Sequence, residues 1–203
     1  EKPGQAKDDC VAMYDAEIGE VIGSSNTEFI AESALLHNPP PFGSFIQVKA
    51  RETIYAVVCN AYTHSLEPHR LAIAYHRSEQ ELRDEQPQIF ELLKTKFEAV
   101  IIGYECDGAI RYHLPPQPPR LHSFVHICQP LEVRRITSHF WFLRFLMGVE
   151  KAPRDELIAA AIRTAYAVHP GERSFLVKAG KELVKLIGDD YEMLSAILHR
   201  IQD

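Results

Sequence analysis

The chain has 203 residues, 46% of them apolar and 25% charged, the make-up of an ordinary globular protein of one domain or two small ones. Its 28 acidic and 22 basic residues give a formal charge of -6, which argues against a whole-surface grip on nucleic acid or anionic lipid but leaves room for a local basic patch. No apolar run approaches the roughly 20 residues that span a bilayer, the opening residues lack the build of a signal peptide, and Cys10, Cys59, Cys106 and Cys128 show no C-x-x-C spacing. A cytosolic protein with free thiols, no membrane contact and neither a zinc knuckle nor a disulfide framework is expected.

Residues 1–16, charged and broken by Pro3-Gly4, read as a flexible N-terminal tail. From Ile18 to Ala61 apolar side chains recur at period two: Val21 and Ile22, Phe29 and Ala31, Ile46 and Val48, then Ile54, Ala56 and Val58, with Glu28, Glu32, Gln47 and Lys49 between them. That alternation predicts a half-buried antiparallel sheet of three strands and the start of a fourth. Ser24-Ser25-Asn26-Thr27 supplies a hairpin turn. Asn38-Pro39-Pro40-Pro41 loops out, because proline has no amide hydrogen for a ladder. The run Tyr55–Ala61 is apolar on both faces and is expected to be central.

Thr63 to Arg70 reads as a polar loop, and Leu71, Ile73 and Tyr75 as a short strand. Ser78 is a candidate N-cap for a helix from Glu79, and Pro87 ends it or starts a second through Phe90 and Leu93. Phe97–Tyr104 predicts a buried strand that turns at Asp107-Gly108 and returns over Ala109–Leu114. Pro115-Pro116-Gln117-Pro118-Pro119 is extended chain, read as a stiff connector rather than a ligand for a proline-reading domain. Ser123–Cys128 makes the last strand.

From Ser138 the period changes to about 3.6. His139–Met147, apolar nearly all round, predicts a buried helix ended by Gly148. A second stripe, Leu157, Ile158, Ala161, Ile162 and Ala165, begins after Pro153 and stops at His169-Pro170-Gly171. Phe175, Leu176, Ala179, Leu183 and Ile187 form a third, ended by Gly188. Asp189 with Glu192 resembles a capping box for a fourth on Met193, Leu194, Ile197, Leu198 and Ile201. The fold class expected is α+β: a small antiparallel β-barrel over residues 17–136 followed by a C-terminal α-helical bundle over 137–203.

The barrel expectation comes with a resemblance. Ile18-Gly19-Glu20-Val21-Ile22, Ser25 through Glu28-Phe29, Phe42-Gly43-Ser44-Phe45-Ile46-Gln47-Val48, and Ala56-Val57-Val58 followed by Thr63 are similar to the HAS barrel, the small barrel that heads HerA-type hexameric ATPases and resembles the N-terminal barrel of rotary ATP synthases. Gly103-Tyr104, Asp107-Gly108 and the later prolines fit its second half. The resemblance implies a module that makes subunit contacts at one end of an ATPase ring and presents a surface to a nuclease partner. It does not imply ATPase activity. The phosphate loop G-x-x-x-x-G-K-[ST] is missing, and at its nearest match, Gly180-Lys181-Glu182, Phe175 stands for the first glycine and a carboxylate for the hydroxyl.

Other chemistry is thin in the sequence. His122 and His126 on one strand face would lie roughly 13 Å apart at about 3.3 Å per residue, too far to clasp one ion. His64, His69 and His76 lie on or near the expected loop. Cys106 or Cys128 with His113 or His126 would be needed for a thiol nucleophile, and no G-x-S-x-G elbow is present. No catalytic residue, metal ligand or cofactor is therefore assigned. The candidate interaction residues are Arg134 and Arg135 at the exit of the barrel and Lys178, Lys181 and Lys185 along one helix face. The expected function is a non-enzymatic docking or assembly module for a HerA-like ATPase, a nuclease or a second copy of itself. The alternatives are an accessory nucleic-acid-binding protein, which would need exposed aromatic rings beside the charge, and a hydrolase with a histidine-cysteine pocket.

Overall fold

The computed structural model of the chain describes residues 16–67 and 73–202. Cys10, His69 and nearly all of the expected tail lie outside them. Among the described residues seven strands, β1 (Glu17–Ser24), β2 (Glu28–Ser33), β3 (Phe45–Val48), β4 (Thr53–Ser65), β5 (Leu93–Cys106), β6 (Ala109–Arg111) and β7 (Phe124–Ile127), form one sheet in the order β2-β1-β7-β3-β4-β5-β6. Every pairing is antiparallel, and β2 also pairs with β5, Glu28 facing Val100 and Glu32 facing Lys96. The ladder thus returns on itself through six strands, and β6 is an appendage on the far end of β5.

The period of two explains why β4 is apolar on both faces. Ile54, Ala56 and Val58 point inward with Val21, Phe29, Ile46, Phe97 and Val125. Tyr55, Val57 and Cys59 point outward and join Phe45 and Ile102 in a second core, completed by the C-terminal helices. Gly19 leaves the inner core its space: a Cβ there would lie 2.9 Å from the Phe97 ring. Gly103 carries a φ of +153° at a register slip between β4 and β5, and a Cβ would lie 2.5 Å from the Arg111 carbonyl, so this bulge requires glycine.

Two expectations before β5 are corrected. Thr63–Ser65 is strand, not loop, because β5 runs far enough to pair Ser65 with Leu93. Ile73 to Tyr75 forms no strand; both side chains are exposed and no neighbouring strand receives them, while Leu71 and Ala72 lie outside the described residues. Alternation alone does not make a strand when nothing offers a ladder. The helix α1 (Glu79–Glu85), capped by Ser78 and Glu81, follows as expected, and Pro87 starts a second, α2 (Gln88–Glu91), which stops short of Leu93, the first residue of β5. The proline stretch lies across the β1–β2 turn, where Ser24 Oγ donates to the Pro119 carbonyl (2.7 Å) and Asn26 Nδ2 to that of Pro115 (3.0 Å).

Among the described residues five helices come after β7: α3 (Pro130–Thr137), α4 (Phe142–Met147), α5 (Arg154–Ala167), α6 (Arg173–Ile187) and α7 (Tyr191–Gln202). α5 is buried nearly all round by Leu157 through Ile162, and α4, α6 and α7 pack against it. Its small Ala159-Ala160-Ala161 segment admits the turn before β3, where Gly43 (φ +81°) would place a Cβ 2.6 Å from that of Ala160. Three corrections arise here. α3 occupies a stretch read as barrel exit; Pro130 at its first turn and the Gln129/Glu132 capping box start it. The helix expected over His139–Met147 begins only at Phe142, because Phe140 takes a left-handed φ of +54°. The carboxylate capping α7 is Asp190, which accepts from the Met193 amide at 3.0 Å, rather than Asp189. Among the described residues no helix is long and apolar enough to cross a membrane.

Candidate interaction surfaces

α3 brings Arg134 and Arg135 onto the outer face of the sheet. Arg134 donates to the Val168 carbonyl (3.0 Å) and pairs with Glu172 (2.7 Å). Arg135 pairs with Glu105 (2.8 Å) and reaches the Gly108 carbonyl (3.3 Å). Glu105 also accepts from the buried Tyr55 hydroxyl at 2.6 Å. The Arg135 guanidinium, then the Tyr55 hydroxyl, hold the Glu105 carboxyl below its usual range, whereas burial and this carboxylate push the Tyr55 phenol up. Arg135 therefore braces α3 against the sheet, Arg134 ties α3 to the connection between α5 and α6, and about half of each side chain stays exposed.

Beyond α3 the left-handed Phe140 turns its own ring into the core, against Phe175 at 4.9 Å, and leaves His139 and Trp141 outside. A positive φ on an aromatic residue is strained and persists only where packing holds it. Trp141, the sole tryptophan, is 57% exposed and meets the Tyr112 ring edge-on at 5.4 Å. Tyr112 is fixed by donating to the Ile136 carbonyl at 2.8 Å. On one side of Tyr112 a groove of about 700 Å³ contains Leu131, Arg134, Arg135 and His139. On the other, one of about 590 Å³ contains His113, Leu114, Trp141, Arg144 and, from α6, Glu182.

The lysines of α6, Lys178, Lys181 and Lys185, are all exposed. Lys178 precedes Glu182 by one turn, and Lys185 follows it and pairs with it at 2.6 Å, so both stand on the groove side of the exposed face. Lys181 lies further round, beside the exposed Val177 and Val184. The structure thus lines one groove with Arg134 and Arg135 and the other with Arg144, while Lys178, Lys181 and Lys185 line neither, Lys185 reaching the second only through its pairing with Glu182.

A second surface lies on β1, β2 and β7, which contribute no side chain to the core shared with the helices. The bulge residue Ile22 and Phe124, 38% and 47% exposed, border a groove of about 380 Å³ with Glu17, Glu20 and Glu32. Glu32 pairs with Lys94 at 2.8 Å and Glu20 with His122 at 2.5 Å.

Among the described residues the histidines and cysteines do not converge. Among the described residues no group of three or more His, Cys, Asp or Glu side chains is arranged to hold a metal ion. His122 turns to Glu20, while His126 stays half-buried on the strand opposite Gln47. The Cys106 thiol donates to Asp107 at 3.6 Å, and partial burial and that carboxylate raise its pKa. His113 packs edge-on against Tyr104 at 5.2 Å. Burial pushes the Cys59 thiol up to about 11 and raises that of Cys128 well above its ordinary value. A thiol held protonated is a poor nucleophile.

Sequence reading missed Tyr112, Trp141 and Arg144 as surface residues, and the acidic groove entirely. Phe140 gave no signal of its positive φ; Glu17, Glu20 and Phe124 gave none of their convergence, since they come from strands about a hundred positions apart. No family model matches this chain, and no curated protein is similar to it at a significant level.

Proposed function

We propose that the chain is a non-enzymatic assembly module, a small closed β-barrel with a helical bundle on one flank, that docks onto a HerA-like ATPase or a related nucleic-acid-processing complex. The observation that carries this reading is the β2–β5 ladder, which returns the sheet on itself through six short strands. The residues that resemble the HAS barrel fall into it in order: Ile18–Ile22 in β1, Glu28-Phe29 at the start of β2, Phe45–Val48 in β3 and Ala56–Val58 in β4. Support also comes from the flank left without helices, where apolar and acidic side chains stand together on β1, β2 and β7.

The test is affinity purification of the tagged full chain from its native cell, with and without a charge reversal of the barrel flank, Glu17→Lys with Glu20→Lys. A HerA-type ATPase or its nuclease in the eluate, lost on charge reversal, is the expected result. Recovery of neither, or recovery unaffected by the reversal, overturns the reading.

A further inference from the structure

We infer that the surface at the turn between α3 and α4 binds single-stranded nucleic acid, bases stacking on Trp141, Tyr112 and His139 and phosphates received by Arg144 and Arg135. Three rings gather there. Tyr112 stands 5.4 Å from Trp141 and 6.4 Å from His139, and those two stand 6.0 Å apart. The left-handed Phe140 leaves His139 and Trp141 outside, and the Tyr112 hydroxyl donates to the Ile136 carbonyl, so folding has already ordered the rings that a ligand would otherwise have to immobilise. Trp141 still shows 57% of its surface. A held, exposed ring is a stacking platform for any base, since every base has a π-face.

The charges fit the same ligand. The Arg144 guanidinium has no hydrogen bond or ion pair among the described residues. Arg135 makes its bonds to Glu105 and Gly108 through Nη2 alone, so Nε and Nη1 stay open as donors. Among the described residues Glu182 is the one carboxylate lining either groove, and Lys185 already pairs with it at 2.6 Å. Tyr112 lines both grooves, and each joins a further ring to a guanidinium: His139 with Arg135 on one side, Trp141 with Arg144 on the other. A ligand that repeats a planar ring and an anion along its length is a nucleic-acid strand, and an unpaired strand offers the faces of its bases. Glu105 and Glu172 offset the charges of Arg135 and Arg134, so stacking carries most of the affinity and Arg144 supplies the net attraction to phosphate. Neither the barrel flank on β1, β2 and β7 nor the lysines of α6 line this site. The inference therefore goes beyond the assembly reading, and either can fail while the other stands.

The test is titration of the full chain with labelled oligothymidylate and oligouridylate of about twelve nucleotides, read by Trp141 emission and by anisotropy of the strand between about 50 and 200 mM salt. Saturable quenching of Trp141 by at least one strand is expected, the difference between the two measuring the share of the 2′-hydroxyl. The logarithm of the binding constant should fall with that of salt at a slope of about −0.7 to −1.4, one or two phosphates, and Arg144→Gln should take about 0.7 off it. By anisotropy Trp141→Ala weakens binding about 5- to 100-fold, while Lys181→Gln, outside both grooves, leaves it unchanged. A duplex of the same length leaves Trp141 unquenched. Circular dichroism checks folding, and Arg144→Glu, at an exposed site, replaces Trp141→Ala should that variant unfold and should weaken binding at least about tenfold. Absence of quenching by either strand, equal quenching by the duplex, or binding that Trp141→Ala and Arg144→Gln leave intact each overturn the inference. So does a blue shift of Trp141 that rises with protein concentration alone, together with a mass above the monomer, which would give the face to a second copy.

Discussion

The inner core of the sheet and the core it shares with the helices are built from the same strands by different means. Inside, Val21, Phe29, Ile46, Val58, Phe97 and Val125 meet across a ladder whose backbone groups are already paired, so side-chain volume decides the fit. Outside, Phe45, Tyr55, Val57 and Ile102 meet helix side chains, and the fit depends on the close approach at Gly43 and Ala160 and on the polar link from Tyr55 through Glu105 to Arg135. β4 and β5 contribute to both cores, which couples them. Loss of either should therefore reach the other.

The largest effect tests that coupling. Phe97→Ala removes a fully buried ring from the inner core and is expected to cost about 3–5 kcal/mol. Urea unfolding followed by circular dichroism and by emission of Trp141, which stands on the helical side, should shift together as one transition. Two separated transitions would show that the cores melt independently and that the comparison between them is one of separate units.

Next in size is Gly43→Ala, which meets both a positive φ and the Ala160 side chain. A loss of about 1–3 kcal/mol is expected, and Ala160→Gly in the same chain should return part of it by removing the facing methyl group. Absence of any rescue would mean that backbone conformation, not the approach of helix to turn, sets the requirement for glycine.

The polar link gives a smaller, pH-dependent effect. Tyr55→Phe leaves Glu105 with one donor fewer and should cost about 1–2 kcal/mol. The Glu105 pKa is depressed in the folded state, so its contribution is present above the unfolded carboxyl pKa of about 4.3. It is lost as pH falls from there through the lower folded value, because the unfolded chain then binds more protons. Glu105→Gln should flatten that acid limb in thermal melts from pH 6 downward. A limb of unchanged slope would place the acid sensitivity elsewhere.

How far the sequence foretold these two cores follows from which signals are local. Alternation located β1 to β4 and identified β4 as covered on both faces, since Tyr55–Cys59 has no polar slot. It did not identify what covers each face, because the pairing of Phe29 with Ala99 joins residues seventy positions apart. The α5 and α6 stripes were legible from their period. The start of α3 is written in Pro130 and the Gln129/Glu132 pair, but its 8 residues make barely two turns, too few for a helical period to stand out. The surface at Trp141 was hidden by its neighbours: His139–Met147 averages to an apolar helix, and only the left-handed Phe140 splits it into a buried part and a displayed ring.

The smallest effect comes from a part of the molecule that belongs to neither core. α1 carries a reciprocal cap, with Ser78 and Glu81 satisfying each other's backbone amides, yet it buries no residue. Ser78→Ala removes a contribution of about 1 kcal/mol to that helix, but a helix without packed side chains opens on its own, below the global free energy. Amide exchange over Glu79–Glu85 should therefore quicken several-fold while the unfolding midpoint stays where it was. A shift in the midpoint would mean that α1 docks onto the sheet in solution and shares in the cooperativity of the two cores.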